Sequence, residues 1–138
     1  MLNASKLRLY FSLLITVLVV SCTDNNEPAP ETDARDQYVG TWTCSEKSKV
    51  FNTSTYSVVI SKAVSDKENI IIKNFYNLGS GTSTIVKVSN NNLTVGSQLV
   101  SGQTMSGSGS YSNGKINLVY YADDGTQQKD TCSATCTK

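Results

Sequence analysis

The stretch "TMSGSGSYSNGKINLVYYADDG", residues 104–125, decides the fold. It contains two strands and two turns. Met105, Gly107, Gly109 and Tyr111 alternate with serines and one another's spacers, and Ile116, Leu118 and Tyr120 then alternate with Asn117, Val119 and Tyr121. A period of two marks a strand buried on one face. Ser112-Asn113-Gly114 stands between the runs. Asn-Gly supplies the two positive φ angles of a tight hairpin turn. Asp123-Asp124-Gly125 predicts a second turn of the same kind. Gly107 and Gly109 share the inward face and leave room there for Trp42 or a tyrosine.

The same pattern extends along the chain. Strands are predicted over 38–45, 56–63, 69–76, 83–90, 92–98, 104–111, 115–122 and 129–138, separated by Gly, Ser, Asn and Asp. No segment has a helical period. A turn at "DARDQ", 33–37, is placed to plug one end. Eight sequential antiparallel strands imply an all-β, up-and-down meander. Closure into a small barrel removes its exposed edges. A two-sheet sandwich is the alternative that periodicity leaves open. The barrel is assigned to residues 38–138.

The N-terminus carries a different message. Residues 1–21 have a basic start, Lys6 and Arg8, and an apolar run from Leu9 to Val20. That run is short for a membrane span and matches a secretory signal peptide. Its end, "LVVSC", resembles the bacterial lipobox, with Cys22 as the acylated residue. Several acyl chains would anchor the chain to a membrane, each buried CH₂ contributing about 0.8 kcal/mol. Residues 22–37, with Asp24, Glu27, Glu31, Asp33 and Asp36 against Arg35, read as an acidic tether, extended at Pro28 and Pro30. Acidic residues after a lipidated cysteine resemble the surface-export signal of Bacteroidota lipoproteins. The expected location is the outer membrane, surface-exposed or periplasm-facing.

Composition narrows the chemistry. The 138-residue chain has 12 Lys plus Arg, 11 Asp plus Glu and no histidine. The charge balance gives no field for nucleic acid. Without histidine there is no Ser-His-Asp triad, and the commonest zinc ligand is missing. The Gly/Ser runs at 79–82 and 106–110 lack the Lys-Ser/Thr of a phosphate loop. Asp123, Asp124 and Asp130 lack the calcium-loop spacing and read as turn residues. The expectation is a noncatalytic monomer without metal or cofactor.

"YVGTWTC", 38–44, carries the Gly-x-Trp signature found at the start of the first lipocalin strand. "ARDQYVGTW", "IKNFYNLG", "SGSGSY" and "DTCSA" extend the likeness. Over most of residues 34–138 the chain resembles small lipocalin-like lipoproteins of Bacteroidota. That resemblance implies a lipidated, secreted β-barrel and no established activity.

With Cys22 acylated, Cys44, Cys132 and Cys136 remain for disulfide chemistry in an oxidising compartment. Cys132 and Cys136 lie about 13 Å apart along one strand, beyond the roughly 7 Å limit for a disulfide. Cys44 must therefore pair with one of them across the seam of first and last strands. Setting Cys44 opposite Cys132 places Trp42 against Ala134 and Gly40 against Cys136. Setting it opposite Cys136 leaves Gly40 without a partner. The expectation is Cys44–Cys132, with Cys136 a small buried thiol.

Trp42, Tyr56, Tyr111 and Tyr120 are the expected inward lining. Phe75 and Tyr76, in "NFYNLG", are either an exposed aromatic lip for a glycan or peptide, or a cover sealing the barrel. The leading function is binding of a small ligand, glycan or partner. The alternative is an interaction lipoprotein with a filled barrel. An extracellular protease inhibitor is a further alternative. A barrel of eight strands is only just wide enough for its own side chains, so cavity volume discriminates between the first two.

Overall fold

The structure is a computed structural model that describes residues 32–126 and 128–138. The expected signal peptide, the expected acylation site Cys22 and most of the expected tether lie outside the described residues. The strands are β1 (Gly40–Ser48), β2 (Asn52–Lys62), β3 (Asn69–Lys73), β4 (Ser83–Ser89), β5 (Asn92–Val100), β6 (Gln103–Ser112), β7 (Lys115–Asp123) and β8 (Asp130–Thr137). They form one closed barrel in sequence order. Every neighbour is antiparallel, and β1 closes on β8. The meander barrel is the observed fold, and the sandwich is not.

Alternation builds the core. Trp42 and Cys44 on β1, Val58 and Ile60 on β2, and Ile116, Leu118 and Tyr120 on β7 are all buried. Asn113 and Gly114 both take positive φ, as the Asn-Gly signal requires. The β7–β8 turn differs from expectation. Of its described residues only Gly125 has positive φ. Asp123 and Asp124 instead accept the N–H groups of Gly125 and Thr126, each at 2.9 Å, as Asx turns do. The two β6 glycines make space for their β7 partners. A Cβ on Gly107 would lie 2.5 Å from the Tyr120 Cβ, and one on Gly109 would lie 2.6 Å from Leu118 Cδ2. So a tyrosine fills the room at 107, as the pattern implied, while Trp42 does not.

One end is sealed by the chain ahead of β1. Residues 34–38 turn beneath the barrel, and Tyr38 is fully buried. Trp42 Nε1 donates to the Tyr38 carbonyl at 2.6 Å, and Tyr111 packs edge-on against both rings. Arg35 donates to the carbonyls of Ala63 and Asp66 in the β2–β3 loop and of Asn69 at the start of β3. Asp33 binds the Arg35 guanidinium and Lys62, which together hold its carboxyl well below the usual range. The expected plug is present. The tether boundary at 37 needs correction, because residues 33–37 belong to the compact unit that starts at Thr32.

The seam corrects the disulfide. Cys44 pairs with Cys136, with Cα atoms 3.9 Å apart, and Cys132 is the free, buried thiol. Cys132 lies opposite Ser48, and Ala134 lies opposite Glu46 rather than Trp42. The cause is the length of β1. Glu46-Lys47-Ser48 looks like a polar turn, yet it continues the strand and slides β8 by four residues. Gly40 has no β8 partner in this register. The Lys138 side chain covers that gap, with Nζ 4.8 Å from the Trp42 ring.

Candidate functional site

The end opposite Trp42 is the chemically unusual part of the barrel. Glu46 continues the inward face of β1 and is 3 % exposed. A carboxylate buried without partners would be costly. Here the Tyr56 hydroxyl, from β2, and the Tyr120 hydroxyl, from β7, both donate to Oε2. Burial is the main cause that pushes both phenols far above their ordinary pKa, reinforced by the adjacent carboxylate.

Asp130 is the second buried acid, also 3 % exposed. Its Oδ1 accepts the N–H groups of Lys49 at 3.0 Å and Val50 at 3.2 Å. Its Oδ2 accepts Ser48 Oγ at 2.6 Å, the Tyr76 hydroxyl at 2.8 Å and the Cys132 thiol at 3.3 Å. Burial works to raise the Asp130 carboxyl, but the donors outweigh it and hold the group below its usual range. Ser48 in turn accepts from Val50 N and Phe51 N. One carboxylate thus ties the β1–β2 hairpin, the start of β8 and Tyr76 together.

Tyr76 sits in a 3₁₀ turn, Phe75–Asn77, that folds over this end. Asn74, Tyr76 and Asn77 all have positive φ, between 55° and 63°. Such angles are strained for a bulky residue. Three contacts hold Tyr76 there: its bond to Asp130, and edge-on packing against Tyr120 and Phe51. Asn74 anchors the turn by donating to the Ser57 carbonyl and accepting Gly79 N–H. Phe75 is buried with its ring 4.5 Å from that of Tyr120. The exposed-lip reading of Phe75 and Tyr76 is therefore corrected: Phe75 is a stopper, and Tyr76 is half-buried above it.

Little space remains inside. The central void is about 10 Å³, bounded by Tyr56, Phe75, Tyr120 and the Cys44–Cys136 bridge. That is the size of one water at most, whereas ligand pockets run to about 300 Å³ or more. Above Tyr76 lies a shallow cup of about 100 Å³, lined by Phe51, Gln103, Asp124, Thr126 and Asp130. Two larger depressions among the described residues lie outside the barrel. One, of about 310 Å³, lies where β5 bulges at Gly96–Ser97 and the Gln98 carboxamide bonds both N–H and C=O of Ile85. The other, of about 490 Å³, runs over β1, β8 and β7.

The four expected lining residues split into two groups. Trp42 and Tyr111 pack at the sealed end, while Tyr56 and Tyr120 reach the polar end. All four fill the core instead of facing a ligand space. The expected buried-thiol place passes from Cys136 to Cys132, whose thiol is pushed well above its usual pKa by burial and by Asp130, which disfavours the thiolate. The sequence reading missed Glu46, Ser48 and the clamp at Asp130. Parity was the available signal, since Asp130 shares a face with Cys132, Ala134 and Cys136. Among the described residues, no group of three or more acidic or cysteine side chains is arranged to hold a metal. Comparison of the chain with family models, curated proteins and solved structures finds no match in any of the three.

Proposed function

We propose that this chain is a lipid-anchored, noncatalytic barrel lipoprotein of the lipocalin-like kind that works through its outer surface. The observation carrying this reading is the central void of about 10 Å³. A filled interior directs recognition of a glycan or partner to the exterior and disfavours carriage of a small molecule. The lipobox-like "LVVSC" supports acylation of Cys22 and placement in an outer membrane. The segment ahead of β1 closes the Trp42 end of the barrel, so the Asp130 end and the barrel wall are the surfaces left to meet partners.

Native mass spectrometry of the mature protein from its own membrane tests this. The expected mass is the polypeptide from Cys22 plus acyl chains, with no stoichiometric small molecule. Cys22→Ser is expected to remove the acyl mass and release the protein from membranes. An unmodified Cys22 thiol, or a co-purifying ligand at one per barrel, would overturn the proposal.

A further inference from the structure

The outward faces of β1, β8 and β7 have an uneven chemistry. The only carboxylates on β1 and β8 are Glu46 and Asp130, and both are turned inward and buried. The one acid on β7, Asp123, lies at its end and accepts Gly125 N–H. What faces solvent is mostly hydroxyl, with Lys47 and Lys115, Asn117, the half-exposed Val119 and Tyr121. Lys47, Ser133 and Val119 stand side by side across the three strands. Above them Lys49 N bonds the Thr131 carbonyl, and Thr131 pairs with Tyr121. Below them Ser45, Thr135 and Asn117 form a row without any charge. Lys129 lies over the half-exposed Tyr121 ring, with Nζ 4.6 Å from its centroid. None of the ion pairs found among the described residues involves Lys47, Lys49 or Lys129. The groove of about 490 Å³ bordered by Lys47, Lys49, Asn52 and Ser133 runs through this face.

From this arrangement we infer that the β1–β8–β7 face binds an anionic polysaccharide, carboxylated or sulfated. The inference deepens the outer-surface reading above and rests on it. The lysines pair with the acid groups, the Ser/Thr/Asn rows hydrogen-bond sugar hydroxyls, and the Tyr121 ring holds Lys129 on its face. The groove is open and shallow, so a small anion would bury too little of itself to be held. A polymer engages Lys47, Lys49 and Lys129 together and gains from multiple weak contacts. Nucleic acid fits less well. Single strands need several stacking aromatics, and this face exposes one.

Affinity electrophoresis of the purified full chain tests the assignment. The gels contain polygalacturonate, heparin, neutral dextran, polyglutamate or single-stranded DNA. Expected is retardation by polygalacturonate or heparin, weakening as salt rises, and none by dextran. Which of the two polymers retards more tells carboxylate from sulfate. Lys47→Gln with Lys49→Gln is expected to weaken binding about tenfold. Lys73→Gln, at the end of β3, is expected to leave it unchanged. No retardation by either polymer, equal loss in the Lys73 variant, or equal binding of polyglutamate or DNA would overturn the inference. A fatty acid that shifts Trp42 emission saturably would instead sink the filled-barrel reading, whatever the lysine variants do.

Discussion

Cys44 and Cys136 stand directly opposite one another on the first and last strands and are joined, closing the barrel at its seam across 92 residues of chain. This single bond makes the meander a covalent ring. In the chain-entropy picture a loop of that size contributes about 4–5 kcal/mol. Cys44→Ala or Cys136→Ala is expected to lower stability by about 2–5 kcal/mol, read as a shift in the urea midpoint. Cys132→Ala leaves the bridge intact. Non-reducing peptide mapping is expected to recover the Cys44–Cys136 pair, with Cys132 alkylated only after denaturation. A Cys44–Cys132 peptide would contradict the register.

Asp130 is a buried carboxylate that makes the fold sensitive to acid. Its folded-state pKa lies below that of an ordinary carboxyl. The linkage therefore favours the native state above the unfolded value of about 3.9 and fades as pH falls through the lower folded value. Asp130→Asn keeps the shape but puts an N–H₂ where five donors converge. It is expected to cost about 2–4 kcal/mol at pH 7. Its stability should also fall less steeply below about pH 4 than the parent's. Denaturation curves across pH 2–7 check both.

Glu46 and its two phenols act at the alkaline side. Tyr56 and Tyr120 are held protonated by burial and by Glu46, and burial raises Tyr76 as well. A raised folded-state pKa gives stability that is complete below the unfolded tyrosine value of about 10 and is lost as pH rises beyond it. Ultraviolet titration is expected to leave these three tyrosines unionised until the barrel unfolds. Glu46→Ala strands two hydroxyls in the interior and should cost about 2–4 kcal/mol.

Gly107 tests the packing of β6 on β7. Any side chain there meets the Tyr120 Cβ and the Val119 carbonyl, both 2.5 Å from an added Cβ. Gly107→Ala is expected to destabilise by about 1–3 kcal/mol, while Gly81→Ala, with nothing within 4 Å, is expected to have little effect. Thermal melts of the two variants compare them.

The strands and hairpins were legible because alternation and Asn-Gly chemistry are local signals. Trp42, Tyr56, Tyr111 and Tyr120 pointed inward as read, since parity fixes the face of each. The register of the seam was not legible. It depends on Glu46 being tolerated inside, and that tolerance comes from Tyr56, ten residues on across the hairpin, and from Tyr120, 74 residues away. The same holds for Asp130, whose partners lie on the β1–β2 hairpin and at Tyr76. Phe75 and Tyr76 left lip and cover both open. The flanking asparagines, Asn74 and Asn77, are the residues that tolerate positive φ and turn the segment inward.

The emission of the one tryptophan, Trp42, reports on whether the barrel interior is filled. The mature protein is titrated with fatty acids, retinoids and other apolar ligands, with the thermal midpoint followed alongside. A filled barrel gives no saturable change in emission and no rise in the midpoint. A saturable change at one ligand per barrel, accompanied by a higher midpoint, would contradict it.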